Sequence, residues 1–363
     1  MQTIIHTEAS HGWGGQEMRI LTECVWFRSR GFRCVLMAKD NSPIAARFRE
    51  EGFEVIPLKF TRSSQPRDFA KCLRVFRDQK PALVGTHSNI DSRVALAAAA
   101  CTRVKRRVRY RHVSIPVRAS VWNKVIYRHF ATGIVTTARS IAEDLTASFS
   151  LDASTVLSIP TGVRSIPADT VLGAREEIRG LLGLPPDARI ISQISVLRSW
   201  KGHAHLIDAF DRLATSRPDV HLVLVGKGNM LGNLREQAAG MRCAARIHFA
   251  GHADDPYPYF QAADIVTLAS TGGEGVPQSV LQASACARPV VATRVGGIPD
   301  VISDGVNGLL VPPADAEALA AALGCLLDDH ALANRLGMEA SRTFQHCGTI
   351  DHMGESLRRF LHL

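Results

Sequence analysis

Twelve short apolar runs, rich in β-branched residues, alternate with helix-length amphipathic segments along this chain, and no other feature limits its fold so much. The first half carries TIIHT (3–7), CVLMA (34–38), EVIPL (54–58), ALVGTH (82–87), VRYRHV (108–113) and GIVTTA (133–138). The second carries IISQISV (190–196), HLVLVG (221–226), RIHFAG (246–251), DIVTLAS (264–270), PVVATR (289–294) and GLLVP (308–312). Segments such as GQEMRILTECVWFRSRG and KGHAHLIDAFDRLATSR lie between them. Strand, helix and strand in repetition build parallel α/β sheets from βαβ units. Twelve strands exceed the ~10 that an open twisted sheet normally holds. The pattern therefore predicts two Rossmann-like sheets of about six strands each. A length of 363 residues is enough for two cores. The boundary is expected in SIPTGVRSIPADTVLGAREEIRG (158–180), where prolines and small polar residues precede a helix at Ala174–Leu182. Residues 1–165 then form one domain and 166–345 a second, with the amphipathic end, about 346–363, packing back on the first.

Charge is divided unevenly. Residues 1–165 hold 26 Lys/Arg against 13 Asp/Glu, whereas residues 166–363 hold 17 against 21. The basic excess peaks in RVKRRVRYRH, 103–112. Such a field attracts anionic membrane surfaces, anionic glycolipids or nucleic acid, and a solvated face that serves solubility has the same composition. Helix-turn-helix, zinc and RNP patterns are all missing, which argues against nucleic acid. No apolar run reaches the ~18 residues of a membrane span. The start, MQTIIHTEASHGW, lacks the basic and apolar regions of a signal peptide. Eight scattered cysteines without a CxxC pair read as reduced thiols of a cytoplasmic protein.

Ligands of parallel α/β sheets bind beyond the carboxyl ends of the strands, and four loops there draw notice. GWGGQE (12–17) places Gly14 and Gly15 before a helix, where backbone can approach a ligand. As a dinucleotide fingerprint it fails at its third glycine, since Glu17 stands there. VLRSWKGH (196–203) sets Arg198 and Lys201 around a turn into a helix, two cations and a helix start for one diphosphate. The plain alternative is a capped turn with Trp200 as packing. VGKGNM (225–230) offers Gly226 and Gly228 after a strand, a common α/β turn. TGGEGVPQSVLQA sets Glu274 inside a glycine turn, with Pro277 as a first helical residue and an apolar face of Val280, Leu281, Ala283 and Ala285. Glu274 can accept hydroxyl protons of a polyhydroxylated ligand, or merely complement the helix dipole.

The stretch EGVPQSVLQA resembles the signature of retaining glycosyltransferases of the GT-B fold, family 4, including those of bacterial surface polysaccharide and lipopolysaccharide. The resemblance continues through PVVAT (289–293), Gly296-Gly297, AADIVTLAS and DGVNGLLVPP. It is weaker in the first half, where the Gly14-Gly15 loop and RHVSIP carry it. The resemblance implies a donor-binding second domain, an acceptor-binding first domain and a cleft between them. It implies metal-independent transfer from a UDP- or GDP-linked sugar to a glycan or glycolipid, with retention. By resemblance, Glu274 contacts the transferred sugar, and Gly275, Val276, Pro277 and Gln278 line the sugar and diphosphate. Lys201 meets the diphosphate, Gly14 and Gly15 lie near the leaving phosphate, and His112 approaches the donor sugar. Two positions depart from the family pattern. Gln282 stands where a second carboxylate would take the ribose, and an amide supplies no charge-assisted acceptor. The usual arginine five places before the lysine is Val196 here, so Arg198 is expected to supply the guanidinium.

No DxD motif ends a strand, so protein cations are expected to replace a metal at the leaving group, and no cofactor is implied. His6, His87 and His203 read as structural histidines, although His87-Ser88 ends a strand. Two other classes stay open. One is an NAD(P)-dependent sugar-nucleotide epimerase or dehydrogenase with Asp40 on the ribose; the absent third glycine and the lack of a Tyr-x-x-x-Lys pair weigh against it. The other is a non-catalytic binder of anionic glycans. The basic segment 103–128 is expected to meet an anionic membrane, placing the chain in the cytoplasm, peripheral on the membrane's inner face.

Overall fold

The computed structural model describes residues 1–166 and 173–363; residues 167–172 of the expected linker lie outside the described residues. The chain divides into two compact units, Met1–Gly162 with Ile350–Leu363, and Val163–Thr349. Among the described residues all twelve expected strands are present, together with a thirteenth.

The first unit contains β1 (Thr3–Glu8), β2 (Arg33–Ala38), β3 (Glu54–Pro57), β4 (Leu83–Thr86), β5 (Arg106–Arg111), β6 (Gly133–Thr136) and β7 (Val156–Ser158). They form one parallel sheet in the order β3-β2-β1-β4-β5-β6-β7. Side chains alternate between its faces, as strand geometry requires. Ile4, Leu36, Leu83 and Val108 meet Ile20, Phe27, Met353 and Leu357 on one face. Ile5, Val35 and Val84 meet Cys72, Phe76, Val94 and Ala98 on the other. Each fully buried Val, Leu, Ile, Phe or Met side chain among them contributes roughly 1.5–3 kcal/mol. The helix Ile350–Phe360 belongs to this unit, and Trp26 Nε1 donates to Asp351 at 2.8 Å.

The second unit contains β8 (Arg189–Ile194), β9 (Val220–Val225), β10 (Ile247–Gly251), β11 (Ile265–Leu268), β12 (Val290–Thr293) and β13 (Leu309–Val311). Their order is β10-β9-β8-β11-β12-β13, again parallel. One core cluster joins Ile191, Leu222 and Leu224 to Leu206, Phe210, Leu323 and Leu336.

In each unit the strand that comes first in the chain lies between two neighbours reached in opposite directions. β1 pairs with β2 and β4, and β8 with β9 and β11. These are the topological switch points, where the loops part and leave a crevice at the carboxyl ends of the strands.

The basic run 103–112 departs from the expectation of a solvated face. Arg109 is only 1% exposed. Its guanidinium donates to the carbonyls of Thr86 (3.3 Å) and Tyr110 (2.7 Å) and to Asn89 Oδ1 (3.2 Å). Arg107 donates to the carbonyls of Phe130 and Val104, while Arg103 and Lys105 are exposed. Much of the charge therefore ties β5 to its neighbours.

Candidate functional site

In the second unit the loops after β8 and β11 come together at the switch point. After β8, a 3₁₀ turn, Ser199–Lys201, ends on Gly202, whose positive φ of 69° starts the helix His203–Ala214. Gln193, inside β8, holds this turn: its Nε2 donates to the Lys201 carbonyl at 2.8 Å and its Oε1 accepts from Ala269 N at 3.1 Å. Thr271 N donates to the Trp200 carbonyl at 2.8 Å. Side chain and backbone thus join the two loops.

The pairing brings Lys201 Nζ to 2.6 Å from Glu274 Oε1, with the two side chains 13% and 7% exposed. Ser270 Oγ donates to the same oxygen at 2.6 Å, while the Ser270 carbonyl accepts from Thr293 Oγ1 of β12. Among the described residues Glu274 Oε2 takes no hydrogen bond, which leaves one carboxylate oxygen for a ligand hydroxyl. Gly275 and Val276 are buried, and their N–H groups find no acceptor among the described residues. Unpaired backbone donors at buried residues are rare in folded proteins. Here two sit beside an available carboxylate oxygen and a cation.

Pro277 is not the first helical residue. With φ −70° and ψ 131° it is the extended cap, and the helix runs Gln278–Ala285. Proline also lacks an N–H, so the donors of this loop are Gly275, Val276 and Gln278. Gln282 is half-buried, and nearby the Tyr257 hydroxyl donates to the Arg164 carbonyl at 2.9 Å. Arg198 is exposed, its guanidinium stacked 5.0 Å above the Trp200 ring. Gly226 and Gly228 have a packing reason to be glycine: a Cβ there would lie 2.0 Å from the Ser195 carbonyl oxygen and 2.2 Å from that of Leu197. His203, nearly fully buried, meets Ser195 Oγ at 3.1 Å; burial first and the Lys201 cation second push its pKa down to about 4. Sequence reasoning missed Ser270 and Gln193, although a serine four residues before the glutamate was visible.

In the first unit the corresponding crevice lies between β1 and β4. Gly14 caps the helix Gly15–Ser29 with extended backbone, and its N–H donates to Glu17 Oε2 at 3.0 Å. Glu17 therefore acts as a capping residue where a dinucleotide fingerprint needs its third glycine. Asp40 forms an exposed ion pair with Arg49. Neither supports the dehydrogenase reading.

Three histidines contact in series. His6 Nδ1 lies 2.9 Å from His87 Nε2, and His87 Nδ1 lies 2.9 Å from His112 Nε2. The His87 ring stacks on Tyr110 with centroids 4.4 Å apart. Asp91 fixes the loop after β4 by accepting from His87 N, Ser88 N, Ser88 Oγ and Thr7 Oγ1 at 2.7–2.9 Å. Burial, then the Arg19 charge, pushes His6 down to about 3. Burial likewise holds His87 and His112 well below the ordinary range. His6 and His87, read from the sequence as structural histidines, meet because alternate residues of adjacent parallel strands share a face, which no single run reveals.

Glu8 closes the floor of this crevice. It accepts from Ser10 N (2.8 Å) and Gln16 Nε2 (2.5 Å). Burial first, and the Asp91 charge second, push its carboxyl up to about 8 from 4.5. An acid with a raised folded pKa gives stability that is complete below its unfolded pKa and is lost as pH climbs through the folded one. The lowered histidines act in the opposite sense, but only below their unfolded pKa of about 6.5. From about pH 6.5, where the unfolded histidines have lost their protons, to about pH 8, stability is therefore expected to fall by up to ~1.4 kcal/mol per pH unit and then to level off, and Glu8→Gln to flatten that slope. Parallel slopes in the two proteins would contradict the assignment.

Residues 13–165 match the family model described as Glycosyltransferase Family 4, and residues 188–329 match Glycosyl transferases group 1. The lipopolysaccharide core biosynthesis glycosyltransferase LpsE of Rhizobium meliloti is 34% identical over 165 residues, covering 46% of this chain and 47% of that protein. The D-inositol 3-phosphate glycosyltransferase of Xylanimonas cellulosilytica is 32% identical over 226 residues, covering 58% of this chain and 53% of that protein. The chain spans about half the length of the curated relatives it matches. Among solved structures, Anabaena HepE in complex with UDP superposes with a TM-score of 0.86 at 19% identity over 100% of both chains. A glycosyltransferase from Rickettsia africae gives 0.87 at 18% identity over 99% and 97%. At these identities the structural likeness is one of fold.

Proposed function

We propose that this chain, which has the GT-B fold and is built of a Family 4 and a group 1 glycosyltransferase domain, moves a sugar from a nucleoside-diphosphate sugar to a glycan or glycolipid, with retention. The observation that carries the reading is the Lys201–Glu274 contact at 2.6 Å beside the unpaired N–H groups of Gly275 and Val276. It gathers a cation, two backbone donors and an available carboxylate oxygen, the set that a sugar diphosphate requires.

Breaking the bond from the anomeric carbon to the diphosphate builds positive charge on the ring and negative charge on the leaving oxygen. Lys201, Arg198 and the start of the helix His203–Ala214 would stabilise the leaving charge, with no metal required. Glu274 Oε2 would orient sugar hydroxyls. In a retaining transfer the departing phosphate can accept the acceptor hydroxyl's proton on the same face. Gln282, half-buried in the helix Gln278–Ala285, is the group proposed for the ribose. On this reading the Gly14-Gly15 loop and His112 would be the first unit's own substrate contacts. HepE was crystallised with UDP and with UDP-glucose, in keeping with a nucleoside-diphosphate sugar as the proposed donor.

The relation to LpsE supports a cell-envelope acceptor. No described helix is long and apolar enough to cross a membrane. Ile115, Val121 and Trp122 are 62%, 77% and 61% exposed, among the exposed cations Arg118, Lys124 and Arg128. Apolar tips among cations suit an anionic membrane surface carrying a glycolipid acceptor, and peripheral residence on the inner face follows from that reading. Co-sedimentation at low salt is expected to favour anionic over neutral vesicles, and Trp122→Ser to weaken the binding. Equal binding to both would refute it.

Thermal shift with UDP- and GDP-linked sugars tests the donor site. A donor at 100 times its Kd is expected to stabilise the protein by about 2.7 kcal/mol. If no nucleotide sugar raises the melting temperature, the donor-site assignment falls.

A further inference from the structure

The series His6–His87–His112 determines which proton the outermost ring carries. Three neutral imidazoles hold three ring protons, and each of the two contacts at 2.9 Å uses one. The third must lie at one end, on His6 Nε2 or on His112 Nδ1. His6 Nε2 is buried with no partner, and the charge acting on His6 is the Arg19 cation. A buried N–H without an acceptor costs more than an idle lone pair, and a neighbouring cation favours the lone pair further. His112 is half-buried and its Nδ1 is not among the buried unpartnered atoms. The proton is better placed at the open end.

We propose that His6 and His87 are positioning residues that hold His112 as its Nδ1–H tautomer, a neutral hydrogen-bond donor at the carboxyl end of the first sheet. The inner proton sits on His6 Nδ1 and points to His87 Nε2. The next sits on His87 Nδ1 and points to His112 Nε2. His112 then has no lone pair free: one nitrogen is occupied by His87 and the other carries hydrogen. It can donate to an oxygen acceptor, a sugar hydroxyl or a phosphate oxygen, and it cannot serve as a general base. A neutral donor adds no positive charge where a glycosyl cation develops.

The packing holds the rings to this arrangement. The His87 and His112 ring planes are 20° apart with centroids at 5.2 Å, and Tyr110 lies 7° from the plane of His112. Thr137 Oγ1 donates to the His112 carbonyl at 3.1 Å. Gly85 of β4 leaves room for the inner ring, because a Cβ there would stand 2.8 Å from His6 Nδ1.

The role of His112 on the sugar rests on the proposed transferase reading; its tautomer does not. Ring ¹⁵N shifts of the uniformly labelled full chain, without substrate at neutral pH, test the tautomer directly. His112 is expected to show a protonated Nδ1 and an unprotonated Nε2. A protonated Nε2, or averaged shifts at both nitrogens, overturns the proposal. His87→Phe keeps a ring on Tyr110 and removes both nitrogens. It is expected to return His112 to averaged shifts and to lower kcat about tenfold, the worth of one neutral hydrogen bond, with KM little changed. Unaltered His112 shifts in that variant likewise overturn it, and the wild-type spectrum decides alone if the variant does not fold. Full turnover in His112→Ala would remove the catalytic reading and leave the tautomer assignment standing.

Discussion

Lys201→Met is expected to cost the second unit about 3–5 kcal/mol of stability as well as its activity, because it leaves the Glu274 carboxylate buried beside no cation. Both side chains of this pair are largely withdrawn from water, at 13% and 7% exposure. The Ser270 hydroxyl remains as the one neutral donor to Glu274 Oε1, too little to replace the lysine. Glu274→Gln, which keeps the shape and removes the charge, is expected to leave a lysine that can turn toward solvent, and so to cost less. The double variant should recover part of the lost stability, since breaking a buried pair costs more than removing both charges. Turnover should not recover. Losing one preorganised group aimed at the leaving charge costs about 10²–10³ in kcat. Denaturant unfolding of the three variants and turnover at a temperature where all are folded give the two readouts. If Lys201→Met is as stable as the wild type, the pair is not buried as described. If its turnover is intact, Lys201 is not the leaving-group cation.

The sheets were legible because parallel strands covered on both faces need continuous apolar runs, and the chain spells twelve of them. The thirteenth, Val156–Ser158, escaped because it is a three-residue edge strand beside the prolines of the linker. Glu274 and Lys201 were legible as candidates, since unusual residues at strand ends are local facts. Their contact was not, because it depends on β8 and β11 being neighbours although 70 positions separate Ile194 from Ile265 in the numbering. The histidine series was hidden for the same reason: His6, His87 and His112 belong to three runs, adjacent only once β1, β4 and β5 are ordered. Glu17 was read as a missing glycine when it is the partner of the Gly14 N–H, a capping signal that was present in the sequence. How the charge run 103–112 is used was not legible, because composition does not say which arginines turn inward to bind carbonyls.

Gly202→Ala is expected to be the most damaging single-methyl change in the chain. Its φ of 69° alone makes alanine unfavourable by about 1–2 kcal/mol. More seriously, the added Cβ would stand 1.7 Å from the Ala269 carbonyl oxygen, a backbone atom that no rotamer change can move. Ala269 follows β11 and its N–H is already bound to Gln193, so relief must part the two loops that carry Lys201 and Glu274. Gly296 repeats the arrangement on the other side, with φ 53° and a Cβ position 2.1 Å from the Glu274 carbonyl oxygen. Both variants should lose more than about 4 kcal/mol, or fail to accumulate as folded protein, which places them among the exceptional substitutions. Gly14→Ala supplies the contrast. Its backbone is extended, and the added Cβ would meet only Glu17 Oε2, at 3.7 Å. It should cost less than about 1 kcal/mol, the scale of a changed helix cap. If it nevertheless abolishes turnover, the space above Gly14 is occupied by substrate. Unfolding curves that place Gly202→Ala and Gly14→Ala at the same stability would show that the Lys201 and Glu274 loops do not meet through Gly202, and the assembled donor site would go with that contact.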